Sequence, residues 1–259
     1  MKCNYHNHTY RCGHASGTEE EYIRKAISEG ITTIGFADHT PYVFREGFVS
    51  YSRMPLSEID DYFDTLLALR DKYRGYIDVK IGFETEYYPR YFDRLVEIYR
   101  KYPLDYIIYA GHQIGNEGDE DCFCGFDKTD SPCRLTAYTD MAIRAMETGR
   151  FTYLAHPDMM NFVGDRDLYR EESARLIRAA KHMSVPLEIN LNGIRDRRYY
   201  PNDDFWQVAG WLGADAVIGF DAHMVHHVAD RDEIIAGIRY ADKFGVNLLD
   251  ELELVNPRF

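Results

Sequence analysis

Short apolar runs alternate along this chain with longer stretches in which apolar residues recur every three or four positions. The runs fit buried strands at Lys2–His8, Thr32–His39, Asp78–Glu86, Tyr106–His112, Thr152–His156, Val185–Asn190 and Ala214–Asp221. Between them, Ile59, Tyr62, Phe63, Leu66 and Leu67 have helical spacing. So do Tyr138, Met141, Ala142 and Ala145, and later Ile234, Ile235, Ile238 and Ala241. Thr18 and Glu21 form a capping box ahead of Tyr22, Ile23, Ala26 and Ile27, and Gly30 closes that helix. Asn202 caps a further helix carrying Phe205, Trp206 and Ala209. Repeated strand-then-helix order predicts an α/β fold of parallel strands with helical crossovers, and seven such units point to a closed or nearly closed barrel. No glycine-rich phosphate loop follows the first strand, which weakens a dinucleotide-binding reading. No linker divides the chain, so one domain over residues 1–259 is expected. The acidic, loop-like stretch Gly115–Pro132 is expected above the barrel mouth.

Composition narrows the function classes. With 45% hydrophobic and 28% charged residues and no apolar run of membrane-span length, the 259-residue chain reads as a globular protein. The start, Met1-Lys2-Cys3-Asn4-Tyr5, has no signal-peptide pattern, and five cysteines form no disulfide framework, so a reducing cytoplasm is expected. A net charge of -13 repels polyanions, and no long basic stripe offsets it. A small phosphate-bearing substrate stays compatible, because bound divalent metals would make the site itself positive.

The histidines supply the chemistry. His6 and His8 end the first predicted strand and His14 lies in the next loop. Asp38-His39, Glu84, His112, His156 and Asp221-x-His223 lie on or at the ends of later strands. Seven of the ten histidines thus sit at or just past C-terminal strand ends, where barrel enzymes place their active sites. Residues two apart in a strand face the same way, so His6 and His8 share a pocket, as do Asp221 and His223. A single histidine here would be an ordinary hydrogen-bonded residue; the whole set at one end is not. Imidazoles with a few carboxylates suit Zn, Mn or Fe, and nine candidate ligands exceed the needs of one ion.

These residues resemble the PHP (polymerase and histidinol phosphatase) family, over essentially the whole chain. The resemblance implies a distorted seven-stranded β/α (TIM-like) barrel with three divalent metal ions. By it, His6, His8, Glu84 and Asp221 would hold one metal, and Glu84 would bridge to a second held by His112 and His156. His14, His39 and His223 would hold the third. Within the family, Pro186–Asn202 and Leu154–Asp158 resemble the monofunctional histidinol-phosphate phosphatases of histidine biosynthesis. One departure is Met159-Met160-Asn161, which stands where a basic residue that helps hold the substrate phosphate is expected.

The expected activity is therefore metal-dependent hydrolysis of a small phosphate monoester, histidinol phosphate first, with nucleotides or nucleic-acid ends as the alternative. Glu84, Asp221 and Arg195 are the candidate catalytic residues; a guanidinium at 195 matches a phosphate or carboxylate edge in two bonds, against the plainer reading of a surface arginine. Arg197 and Arg198 are expected on a solvated face, and His226 and His227 as exposed helix-start residues rather than partners of the ligands. Asp38 is expected to orient a ligand, being next to His39. Cys122, Cys124 and Cys133 are either a separate Zn site or free loop thiols, the latter favoured for want of a fourth ligand. A passive metal-binding domain would not require nine inward polar groups. A hydrolase of the amidohydrolase kind would want a lysine at a strand end, and Lys80 lies too early in its strand.

Overall fold

Strand residues that are apolar at successive positions must be covered on both faces, and here they are: Phe36, Ala37, Ile81, Phe83, Ile107 and Ile108 are all fully buried. The computed structural model describes residues 1–259. In chain order the elements are β1 (Cys3–Asn4), α1 (Glu19–Ser28), β2 (Thr33–His39), α2 (Ile59–Lys72), β3 (Asp78–Thr85), α3 (Phe92–Tyr99), β4 (Tyr106–Tyr109), β5 (Gln113–Ile114) and β6 (Phe123–Cys124). There follow α4 (Pro132–Glu147), α5 (Arg166–His182), β7 (Leu187–Asn190), α6 (Leu191–Arg195), α7 (Asp203–Leu212), β8 (Asp215–Gly219), α8 (Arg231–Phe244) and β9 (Asn247–Leu248). No helix is long and apolar enough to cross a membrane.

The parallel strands form a curled sheet in two parts, β1-β2-β3-β4 and β7-β8-β9. Single parallel bridges from Leu154 to Tyr109 and to Leu187 join the parts, and a bridge from Asn7 to Ala222 brings their outer edges together. This corrects the expected continuous seven-stranded sheet, since the largest regular sheet has four strands. The fifth predicted strand, Thr152–His156, is a short link. On one side Thr152 N–H donates to the Ile107 carbonyl at 2.9 Å and Ala155 N–H to the Tyr109 carbonyl at 2.8 Å; on the other Leu154 N–H donates to the Pro186 carbonyl at 3.0 Å. It ends where His156 takes a left-handed backbone (φ 31°) just before Pro157. The first strand is cut to two residues because the Asn4 side chain takes over local pairing. Its amide donates to the Ile218 carbonyl at 3.0 Å, and its oxygen accepts the His6 N–H at 3.0 Å.

Other differences lie in the connections. The Gly115–Pro132 stretch is not wholly irregular, since β5 just before it pairs antiparallel with β6 inside it. Helix α1 starts at the predicted capping box and α7 at Asn202. Helix α5 was not marked by periodicity, because its buried stripe mixes Tyr169, Leu176 and Ile177 with Ser173 and Ala180. Both β9 and α3 also escape the sequence pattern.

Candidate metal centre and cavity

Register brings the first ligands together. β2 and β3 pair with His39 opposite Glu84, so both side chains leave the same face at the strand ends. Glu84 is buried, 1% exposed, and has imidazoles on every open side. His156 Nε2 lies 2.8 Å and His112 Nε2 3.4 Å from its Oε1, and His39 Nδ1 lies 2.9 Å from its Oε2. His6 and His8 approach at 3.4 and 3.6 Å.

A second focus forms where β1 runs toward the end of β8. His6 Nε2 and His8 Nε2 are 3.3 Å apart, and Asp221 Oδ1 lies 3.7 and 3.1 Å from them. Asp221, with φ 47°, is held by the amides of Asn190 (3.2 Å) and Asn192 (3.0 Å). Backbones of this kind persist where surrounding contacts over-determine them. The His223 ring stacks on His8 at 4.0 Å between centroids and on His14 at 4.9 Å. His14 is the outermost of the nine, exposed and bonded through Nδ1 to the Cys12 carbonyl at 3.0 Å. All nine predicted ligands therefore converge on one end of the sheet.

The electrostatics are those of ligands facing each other. Burial disfavours ionised Glu84, yet His112, His39 and His6 outweigh it and hold the carboxyl well below its usual range. Burial likewise opposes charge on His6, but Glu188, Asp221 and Glu84 push it up to about 10. His39 goes the other way, down to about 4, because burial outweighs Glu84. Glu84 Oε2, His156 Nδ1 and His8 Nδ1 are buried without a hydrogen bond. Closely set imidazole nitrogens and carboxylate oxygens, some without partners, fit divalent cations. His6, His8 and Asp221 form one compact group, His6, Glu84 and His156 another, and His8, His39 and His223 a third. Cys12, buried and absent from the sequence expectation, adds a sulfur close to His14 and His223.

The cluster floors a cavity of about 540 Å³. Arg195 lines it, donating to Glu233 Oε2 at 3.0 Å and to Asn192 Oδ1 at 2.7 Å. Arg198 is exposed, as expected, and also lines the rim of the cavity, where its guanidinium bonds Tyr200 Oη at 2.9 Å and Asp196 at 3.0 Å. His227 is likewise a half-buried wall residue, pushed down to about 4 by burial and by Arg195, while His226 is exposed. Asp38 lies beside His8, with Oδ1 3.5 Å from His8 Nδ1 but not hydrogen-bonded to it, and Oδ2 takes the Thr9 hydroxyl. Met159 and Met160 are buried core residues, so no cation stands at that place. The five cysteines are all free thiols, and Cys122 Sγ lies 3.4 Å from Gln113 Oε1. Lys80 pairs with Asp78 at 2.8 Å, early in its strand.

Residues 4–192 match the PHP domain. The chain belongs to the PHP family. A probable histidinol-phosphatase of Deinococcus radiodurans is 26% identical over 244 residues, covering 93% of this chain and 90% of that protein. The histidinol-phosphatase of Bacillus subtilis is 27% identical over 124 residues, 45% of this chain and 46% of that one. Among solved structures, the histidinol phosphate phosphatase of Lactococcus lactis, complexed with zinc, L-histidinol and phosphate, superposes with a TM-score of 0.71 at 21% identity. That match covers 98% of both chains and marks a shared fold.

Within this PHP site, sequence reasoning missed three charged residues around the ligands, Arg53 and Glu86 on the cavity wall and Glu188 beneath it. Arg53, 7% exposed, bonds Glu86 at 3.0 Å and also Glu117 and the Thr40 carbonyl. Glu86 in turn lies 2.8 Å from His112 Nδ1, which turns His112 Nε2 toward Glu84. Glu188, fully buried on β7, bonds His6 Nδ1 at 2.7 Å. A signal for Glu188 existed, since it is an acidic residue inside an apolar run; Arg53 sits in a polar loop and had none.

Proposed function

We propose that this PHP protein hydrolyses histidinol phosphate to histidinol and inorganic phosphate with divalent metals held by His6, His8, His14, His39, Glu84, His112, His156, Asp221 and His223. The observation that carries the reading is the buried Glu84 carboxylate ringed by five imidazoles on the floor of an open cavity. The full-length Deinococcus relative and the histidinol complex of the Lactococcus fold-mate support the substrate. Three ions are the count that nine ligands with a bridging Glu84 would serve, with Zn, Mn or Fe as the metals. The reading takes residues 1–259 as one domain, and the two sheets with their Leu154 and Asn7 bridges as one distorted seven-stranded ring. A reducing cytoplasmic setting fits the five cysteines.

Bound metals of this kind supply hydroxide at neutral pH and neutralise charge on phosphoryl oxygens. The chain's own part is to place and select. Glu84 and Asp221 keep the ligand nitrogens converged. Arg195, fixed by Glu233 and Asn192, and Arg198, fixed by Tyr200 and Asp196, bring cationic groups to a cavity that Arg53 also lines. They take the place of the missing cation at Met159–Asn161 in holding the phosphate end.

The test is phosphate release from histidinol phosphate beside an aryl phosphate and nucleoside monophosphates. A site with polar groups aimed at the substrate rejects analogues lacking the matching groups. Histidinol phosphate should lead the aryl phosphate in kcat/KM by about a hundredfold or more, roughly 2.7 kcal/mol of transition-state preference. Arg195→Ala should shrink that lead with metal content unchanged. Equal rates on the two esters, or a clear preference for nucleotides, would leave the family standing and overturn the substrate.

A further inference from the structure

A fully buried carboxyl group is costly unless hydrogen bonds surround it, and Glu188 is buried, 0% exposed, in the middle of β7. No arginine or lysine meets it. Instead Oε1 accepts from His6 Nδ1 at 2.7 Å, and Oε2 accepts the His156 backbone N–H at 3.0 Å and the Asn190 amide at 2.9 Å. It does not line the cavity, so it has no access to substrate.

Each bond has a consequence for a neighbour. The bond at His6 Nδ1 turns the ring so that Nε2 faces Glu84, Asp221 and His8. The bond to the His156 amide holds that residue in its left-handed backbone, from which its ring reaches Glu84 at 2.8 Å. Asn190 carries the chain onward, donating also to Asp221 at 3.2 Å. Gly219 on the adjacent strand fits the same design. Its backbone has no positive φ, so conformation does not require glycine there. Space does: a Cβ at 219 would run into the Glu188 carboxyl.

We propose that Glu188 is a positioning residue whose carboxyl group sets His6, His156 and, through Asn190, Asp221 in the geometry that binds metal, with Gly219 as the space that admits it. This rests on the metal-dependent reading above. Outer partners of histidine ligands typically contribute about 10- to 100-fold to metal affinity.

Zn²⁺ affinity, measured by competition with a chromophoric chelator on the metal-stripped full chain, tests it. Glu188→Gln keeps the size of the side chain but presents an NH₂ to one of its donors. Zn²⁺ binding should weaken by about 10- to 100-fold. KM for the phosphate ester should stay unchanged and kcat should return with excess Zn²⁺, a pattern that a general loss of structure would not produce. Gly219→Ala keeps the carboxyl but displaces it, and should weaken Zn²⁺ binding in the same way, so that a folding failure of one variant still leaves a reading. Wild-type Zn²⁺ affinity in either folded variant overturns the positioning role. Failure of the wild-type chain itself to bind Zn²⁺ would instead overturn the metal-dependent reading.

Discussion

Glu84 concentrates the chemistry of this site in one side chain. Its two oxygens face His156, His39, His112, His6 and His8 at 2.8 to 3.6 Å. With cations bound, removing it would leave positive charges facing each other in a buried place. Glu84→Ala should therefore be the most damaging single ligand change, lowering kcat/KM by about a thousandfold or more, some 4 kcal/mol. Steady-state kinetics beside metal analysis check this. Near-normal turnover in Glu84→Ala, with His156→Ala inactive, would put the bridging role on another residue. The other buried acids have narrower tasks. Glu86 is held below its usual range by Arg53 and His112 despite burial, and it steers His112 alone.

Between elements, Asp158 ties the turn after Leu154 to the start of α7. Its Oδ2 accepts the Trp206 indole N–H at 3.0 Å and the Asn202 backbone N–H. Burial nevertheless pushes its carboxyl up to about 6 from an ordinary 3.8. A folded value above the unfolded one means the native state gains from the protonated form. That gain is complete below about 3.8 and lost as pH rises through about 6. Asp158→Asn keeps an acceptor for both donors and removes the titration. Its stability relative to wild type should therefore rise between pH 4 and 7, by at most about 3 kcal/mol. Urea unfolding of metal-stripped protein across that range measures the difference, and a flat difference would refute the burial argument. Sequence legibility also varies between elements. The Thr18–Glu21 box and the Asn202 cap work through bonds within a few residues, so both helix starts were readable. α5 was not, since a serine and an alanine dilute its buried stripe.

For the molecule as a whole, an acidic chain binds an anionic substrate only if its site carries opposite charge. The net charge of -13 makes the metals part of the fold's electrostatics as well as of its chemistry. Ligands that bind only the native state stabilise it by mass action, about 2.7 kcal/mol at a hundred times Kd for each site. Stripping the metals with a chelator should lower Tm by several degrees, and Zn²⁺ or Mn²⁺ should restore it. Gently purified protein should carry more than one transition-metal equivalent per chain. At most one equivalent, even after reconstitution, would sink the multinuclear reading.

The sequence by itself determined the strand-then-helix order, the end of the sheet at which the site lies, and the nine residues that meet there. Those facts depend on local periodicity: alternate residues of a strand share a face, and successive strand ends of a parallel sheet share a side. Only the tertiary structure decided that β4 and β7 are joined by no more than the short link at 152–155, which ends at the backbone turn of His156 ahead of Pro157. It also decided that Arg198 and His227 line the cavity, that Arg53 anchors Glu86, and that Asp38 lies beside His8. Glu188 lies beneath His6 because β7 is brought alongside β8 and the Asn7–Ala222 bridge draws the end of β8 onto the first strand. Each of these placements joins residues far apart in the chain, through loops whose course no short-range spacing encodes.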